Sequence, residues 1–258
     1  WPPERLAELY GKQSFTDAER ANAFGNDNTA DTPQGRALLF ALAQSGDAAP
    51  RAHAMLLFLA GAARHALYFS AARMVAPIIA ALAPGDATRD AAPFFTRALI
   101  AAGREKEIGR WLALTGTPIP LVTLVKFIDG ARPDDKATGE ALAALELRSN
   151  DSSRAIGVYF VVMTDYGPGP AASELAAQLA KPRPSAMPST AAWLDLQRAA
   201  AGHRRGETIL AALAVLQDGG RLNTEPIVLQ RALSALRGAG LDAEARAMAR
   251  DAAVASGL

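Results

Sequence analysis

The sequence predicts an all-α protein: stacked antiparallel helix pairs forming an α-solenoid or superhelical array, a single helical-repeat domain over 1–258. Three observations point there. Nearly a quarter of the residues are Ala, the best helix former, while aromatics make up only 6%. Breaker-rich loops cut the chain into pieces of about 10 to 18 residues, the usual length of packed helices. Helix start and stop signals fall at those breaks.

The loops come in order. "GNDNTADTPQG" at 25–35 is the longest. "APGDA" at 83–87, "TGTPIP" at 115–120, "DGARPDDK" at 129–136, "SNDSS" at 149–153, "YGPGP" at 166–170, "KPRPSAMPS" at 181–189 and "DGGRLNTEP" at 218–226 follow. Subdivision of the domain, if any, is expected near 130–136 or 181–189. Thr16 and Glu19 have capping-box spacing, in which hydroxyl and carboxylate each satisfy an orphan amide. Asp86, Ser153, Ser189 and Asp242 stand where N-caps are wanted. Pro170 and the run Thr224-Glu225-Pro226 mark two more starts. Gly46, Gly103, Gly116, Gly202 and Gly238 stand where left-handed C-terminal caps belong.

Two runs are richer in β-branched residues, "PIPLVTLVKFI" at 118–128 and "AIGVYFVVM" at 155–163. They have strand propensity, but helical segments flank both and no third strand is available. They are read as fully buried helices. At the end of the chain, Leu229, Leu233 and Leu236 line one face. Leu241, Ala245, Met248, Ala252 and Ala255 line the next helix, with Asp242 and Arg246 paired off that stripe. These two helices and "RGAG" make a hairpin with a small-residue seam.

An Arg-Ala-Leu helix that ends near Gly and leads into a second helix recurs three times. The copies are "RALLFALAQSGDAAPRAHAMLLFL" from 36, "RALIAAGREKEIGRWLAL" from 97 and "RALSALRGAGLDAEARAMARDAAVASGL" from 231. The starts lie 61 and 134 residues apart, so no fixed period emerges. Divergent hairpin repeats and a chance echo in an Ala-rich chain both remain open. The pairs resemble tetratricopeptide-type and related α-solenoid repeats. That resemblance implies a non-enzymatic scaffold with a concave binding face. No segment carries the family's spacing of large residue, Leu-Gly, Tyr, Ala and Pro, so the repeat type stays open. The closing hairpin also resembles the ends of uncharacterised Ala-rich helical proteins of GC-rich bacteria, from which no activity carries over.

Charge excludes some partners. With 27 basic and 26 acidic residues the net charge is +1, without the surplus of a nucleic-acid binder. Only five of the basic residues are Lys, which with the Ala content suggests a GC-rich bacterial source. There is no Cys, which removes disulfides, thiolate metal sites and a Cys nucleophile. The longest apolar stretches, "AHAMLLFLAGAA" at 52–63 and "MVAPIIAALA" at 74–83, fall short of the about 20 residues a membrane span needs and are read as core helices. The chain opens on Trp1 rather than Met. The expectation drawn from this is a removed upstream segment and a bacterial periplasmic or cell-envelope location, with the cytoplasm still open.

Chemistry is sparse. His53 and His65 are twelve apart, off alignment on one helix, with no His-x-x-x-His pair and no acid close in sequence, so no metal site is expected. Asp134 and Asp135 follow Pro133 in a loop, where acids suit a helix start. No nucleophile elbow, phosphate loop or dinucleotide fingerprint is present, and no cofactor is expected. Asn150-Asp151-Ser152 fits a glycosylation acceptor but is set aside in a bacterial sequence. Trp111 and Trp193 are placed in the core, and Trp1 is left exposed.

Two groups remain as binding candidates. Asp165 and Tyr166 emerge from a buried run before a Gly-Pro loop. His203, Arg204 and Arg205 form either a small anion site or a solvated helix junction, the junction being preferred. The leading reading is a scaffold for a protein or peptide partner, not an enzyme. The alternatives are an all-α enzyme with a central pocket near Asp165 and Tyr166, and a structural subunit of an envelope assembly. The ligand and the oligomeric state are left open.

Overall fold

A computed structural model describes residues 2–25, 28–116, 119–132, 135–146, 152–167, 188–217 and 225–258. Their regular structure is all helix, with no strand among the described residues. Trp1, Asp134, Asn150, Pro170, Thr224 and residues 181–187 lie outside them. The chain divides into two compact units, Trp1–Thr117 and Pro118–Leu258.

The first unit begins with α1 (Pro3–Gly11) and α2 (Asp17–Asn22). The predicted capping box forms at α2: Glu19 N donates to Thr16 Oγ1 at 3.2 Å, and Thr16 N donates to Glu19 Oε2 at 2.8 Å. A 3-10 turn at Thr29–Asp31 leads into α3 (Pro33–Ala43). Thr32 caps α3 by accepting from Gly35 N at 3.0 Å, and Pro33 fits where no amide donor is needed. Next come α4 (Ala48–Arg64), α5 (Tyr68–Ala81), α6 (Ala92–Ala101) and α7 (Gly109–Thr115).

The two long apolar stretches are core helices, as their length implies. Consecutive helices pack from α3 to α7, and α1 lies on both α3 and α5. Tyr10, Phe40 and Phe58 form a ring cluster with centroids 5.7 to 6.2 Å apart. Trp111 is fully buried, edge-on to Phe95 at 5.0 Å. Such ring pairs add about 0.5–1.5 kcal/mol beyond the area they bury.

The second unit contains α8 (Pro120–Ile128), α9 (Asp135–Glu146), α10 (Ser152–Tyr166), α11 (Thr190–Ala201), α12 (Arg205–Gln217), α13 (Pro226–Gly238) and α14 (Asp242–Ala255). Both β-branched runs are helices, α8 and α10. A helix keeps its backbone hydrogen bonds internal, so it can be apolar on every side where it is covered all round. Neighbours supply that cover except at Lys126 of α8, which is exposed, so α8 is not buried on every side as expected: α8 packs on α9, α10 and α14, and α10 on α8, α9, α13 and α14. Contact in this unit is thus not confined to sequence neighbours, unlike a strictly linear array.

Several local expectations are corrected. Gly202 has φ −83°, and Gly238 is the last residue of α13; the left-handed positions are His203 (φ 50°) and Gly240 (φ 72°). Asp86 opens a 3-10 helix preceded by Gly85, and Asp242 opens α14 after Leu241. Ser189 does cap α11, accepting from Ala192 N at 3.2 Å. In α14 the fully buried column is Ala245, Ala249 and Ala253, continuing from Leu241, while Met248, Ala252 and Ala255 are half-buried. The helix lies against α8, α10 and α13 together, which shifts its buried face from the single-partner stripe. Trp193 is half-buried rather than core. Among the described residues, no helix is long and apolar enough to cross a membrane.

Candidate functional site

Asp165 and Tyr166 form the last turn of α10, which packs on the α13–α14 hairpin. Arg237, at the end of α13, donates from Nη1 to the Asp165 carbonyl at 3.0 Å, and the same nitrogen lies 3.9 Å from Asp165 Oδ1. Its Nε lies 3.8 Å from Asp242 Oδ1. The Tyr166 ring has two guanidinium groups near it, Arg237 at 5.4 Å and Arg246 at 5.9 Å. Arg246 also donates to the Ile128 carbonyl, and Arg250 Nη2 donates to Asp129 Oδ1 at 2.7 Å. The expected Asp242–Arg246 pair is replaced by these longer-range contacts: each Arg satisfies a helix-end carbonyl or an acid on a neighbouring element.

Burial pushes the Asp165 carboxyl above its ordinary value, against the pull of Arg237. Burial likewise raises Tyr166, opposed by Arg237, reinforced by Asp165, opposed by Arg246 and reinforced by Asp242. Asp165 Oδ2 and the Tyr166 hydroxyl are buried without a hydrogen-bond partner. The cluster clasps the end of α10 to the closing hairpin and keeps two polar atoms in reserve.

The second predicted group meets the same turn from another side. Arg205 Nη2 donates to the Gly240 carbonyl at 2.8 Å, and Arg204 Nη1 pairs with Glu207 Oε2 at 2.5 Å. His203 turns the chain between α11 and α12. Among the described residues, no hydrogen bond or ion pair joins Asp165 or Tyr166 directly to 203–205.

A different site escapes the sequence reading. In the first unit a cleft of about 510 Å³ opens between α1 and α3. Leu6, Leu9 and Tyr10 of α1 line it together with Ala37 of α3 and Leu67, and the lining residues Gln13 and Gln34 are exposed. Leu9 is 42% exposed. Arg36 also lines the cleft and is only 5% exposed. Its Nη1 donates to the carbonyls of Ala30 at 3.0 Å and Asp31 at 2.9 Å, while its Nε is buried without a partner. The nearest acid in sequence, Asp31, gives its carboxylate to Arg64 Nε at 2.6 Å. Among the described residues, Arg36 has no ion pair. The available signal was Arg36 itself, the sole charge in the apolar helix "PQGRALLFALA".

Asp31 also lies 3.9 Å from His65 Nε2, an acid that the local sequence around His65 does not contain. Arg64 on the same carboxylate makes this a poor cation site. Among the described residues, no group of three or more His, Cys, Asp or Glu is placed to hold a metal ion. Among the described residues of the second unit, the exposed large hydrophobics are Leu194 on α11 and Leu210 and Leu213 on α12. Comparison with protein-family models, curated proteins and solved structures yields no match to this chain.

Proposed function

We propose that the chain is a non-enzymatic helical-repeat scaffold that binds a protein or peptide partner, its consecutive helices stacked in the manner of an α-solenoid in the first unit and cross-packed in the second. The cleft between α1 and α3 carries this reading. At about 510 Å³ it falls within the roughly 300–1,000 Å³ of ligand clefts, and its apolar walls with a few polar groups are the usual composition of such sites. Leu9 at 42% exposure offers an apolar anchor that a partner would cover. A random-peptide library selected on the purified chain tests the reading. Peptides that bind the wild type and are lost with Leu9→Glu support it; no enrichment, or enrichment indifferent to Leu9→Glu, contradicts it.

A second reading, an all-α enzyme working at Asp165 and Tyr166, draws on the raised carboxyl and its unpartnered oxygen. A metabolite library screened by thermal shift separates the two. A ligand whose stabilisation vanishes in Asp165→Asn favours the enzyme.

A further inference from the structure

We infer that the α1–α3 cleft takes the C-terminal end of an apolar peptide, with the terminal carboxylate set against Arg36. This deepens the scaffold reading above and rests on it. The main observation is a buried cation without a counter-ion. Arg36 is 5% exposed, and its partners are two neutral carbonyls. An unpaired buried charge is costly, and a carboxylate brought beside it recovers much of that cost. The nearest candidate within the chain is already committed, since Asp31 pairs with Arg64 at 2.6 Å.

The rest of the cleft narrows the ligand. Leu6, Leu9, Tyr10 and Leu67 provide apolar wall for the last side chains of a peptide. The exposed lining residues Gln13 and Gln34 each carry a donor and an acceptor. Peptide amides need both, whereas a hydrocarbon tail uses neither, which favours a peptide over a fatty acid. Gln34 lies in the first turn of α3, whose positive end adds to the field felt by a carboxylate.

The test uses the full chain, immobilised, and two pools of random hexapeptides whose last two positions are Leu, Ile, Val or Phe. One pool ends in free carboxylate and the other in carboxamide, with capture read by mass spectrometry. The inference expects the acid pool to be captured about tenfold or more over the amide pool, the scale of a hydrogen bond to a charged group. It also expects Arg36→Met to erase that preference. If Arg36→Met does not fold, Gln34→Glu at an exposed lining position must weaken the acid pool and spare the amide pool. Equal capture of both pools, lost with Leu9→Glu, overturns the carboxylate inference and leaves the cleft reading standing. An acid preference that survives in folded Arg36→Met overturns it as well. Capture of neither pool removes both.

Discussion

Gly61, in the last turn of α4, lies so close to Ala30 that a β-carbon on it would sit 2.5 Å from the Ala30 carbonyl oxygen. That carbonyl is the one that accepts from Arg36 Nη1. The turn at Ala30 is therefore held from two sides, by helix approach at Gly61 and by the guanidinium of Arg36, itself a residue of the cleft.

Gly61→Ala should destabilise the protein although Ala is the better helix former. Propensity favours Ala by about 1 kcal/mol, but the clash is with backbone that cannot rotate away, and overpacking of that kind costs about 1–3 kcal/mol. Gly139, in α9, has open space around its Cβ position. Gly139→Ala should instead gain up to about 1 kcal/mol. Urea unfolding of both variants checks the opposite signs.

Ala66 adopts φ 57°, a left-handed conformation that a β-carbon disfavours. It sets the direction of Leu67, which lines the cleft. Ala66→Gly should gain about 0.5 kcal/mol, the relief of strain less the entropy of Gly in the unfolded chain. A thermal melt at matched concentration reads this.

Asp165 should make stability depend on pH in an unusual direction for an acid. Its folded value is raised above the ordinary 3.8. The stabilisation is therefore fully present below that value and is lost as pH rises through the higher folded one. Asp165→Asn lacks this loss. Relative to wild type, the variant should gain stability between about pH 3.5 and pH 7, measured by urea midpoints at both. A variant that instead loses ground as pH rises would show that the Arg237 pair outweighs burial.

Tyr159 is 2% exposed, and its hydroxyl is buried without a partner. Burial pushes its ionisation up to about 12. Tyr159→Phe removes an unsatisfied hydroxyl, so it should be neutral or stabilising by about 1 kcal/mol near neutrality. The raised folded value also means that wild-type stability falls as pH climbs above the ordinary 10. The Phe variant lacks that fall, so alkaline unfolding curves should diverge in its favour.

Local signals were the legible part of this fold. Thr16 with Glu19 and Ser189 act within three residues of themselves, so their roles follow from spacing. The runs at α8 and α10 were readable as helices because nothing nearby offered strand partners. Where a residue's partner lies far along the chain, the sequence was silent. The buried face of α14 depends on α8, and Arg246 reaches Ile128, 118 residues away. The turn at 202–203 was misplaced by one residue because Gly is the usual left-handed cap and His203 takes that role here. The clasp at Asp165 and Tyr166 was visible as polar residues leaving a buried run, though not its Arg partners. The cleft was hidden for the same reason: its walls come from residues 6–13, 33–37 and 67, which no local pattern groups together.

The most direct measurement replaces Leu9, and in a second protein Leu210, with a photoreactive benzophenone amino acid and illuminates each with the acid-ended peptide pool. Both side chains are exposed, Leu9 at 42% and Leu210 at 69%. If the α1–α3 cleft is the binding site, the Leu9 position crosslinks peptide through its C-terminal residues and the Leu210 position does not. Crosslinking at Leu210 equal to or above that at Leu9 would contradict the account and move the binding surface to the second unit.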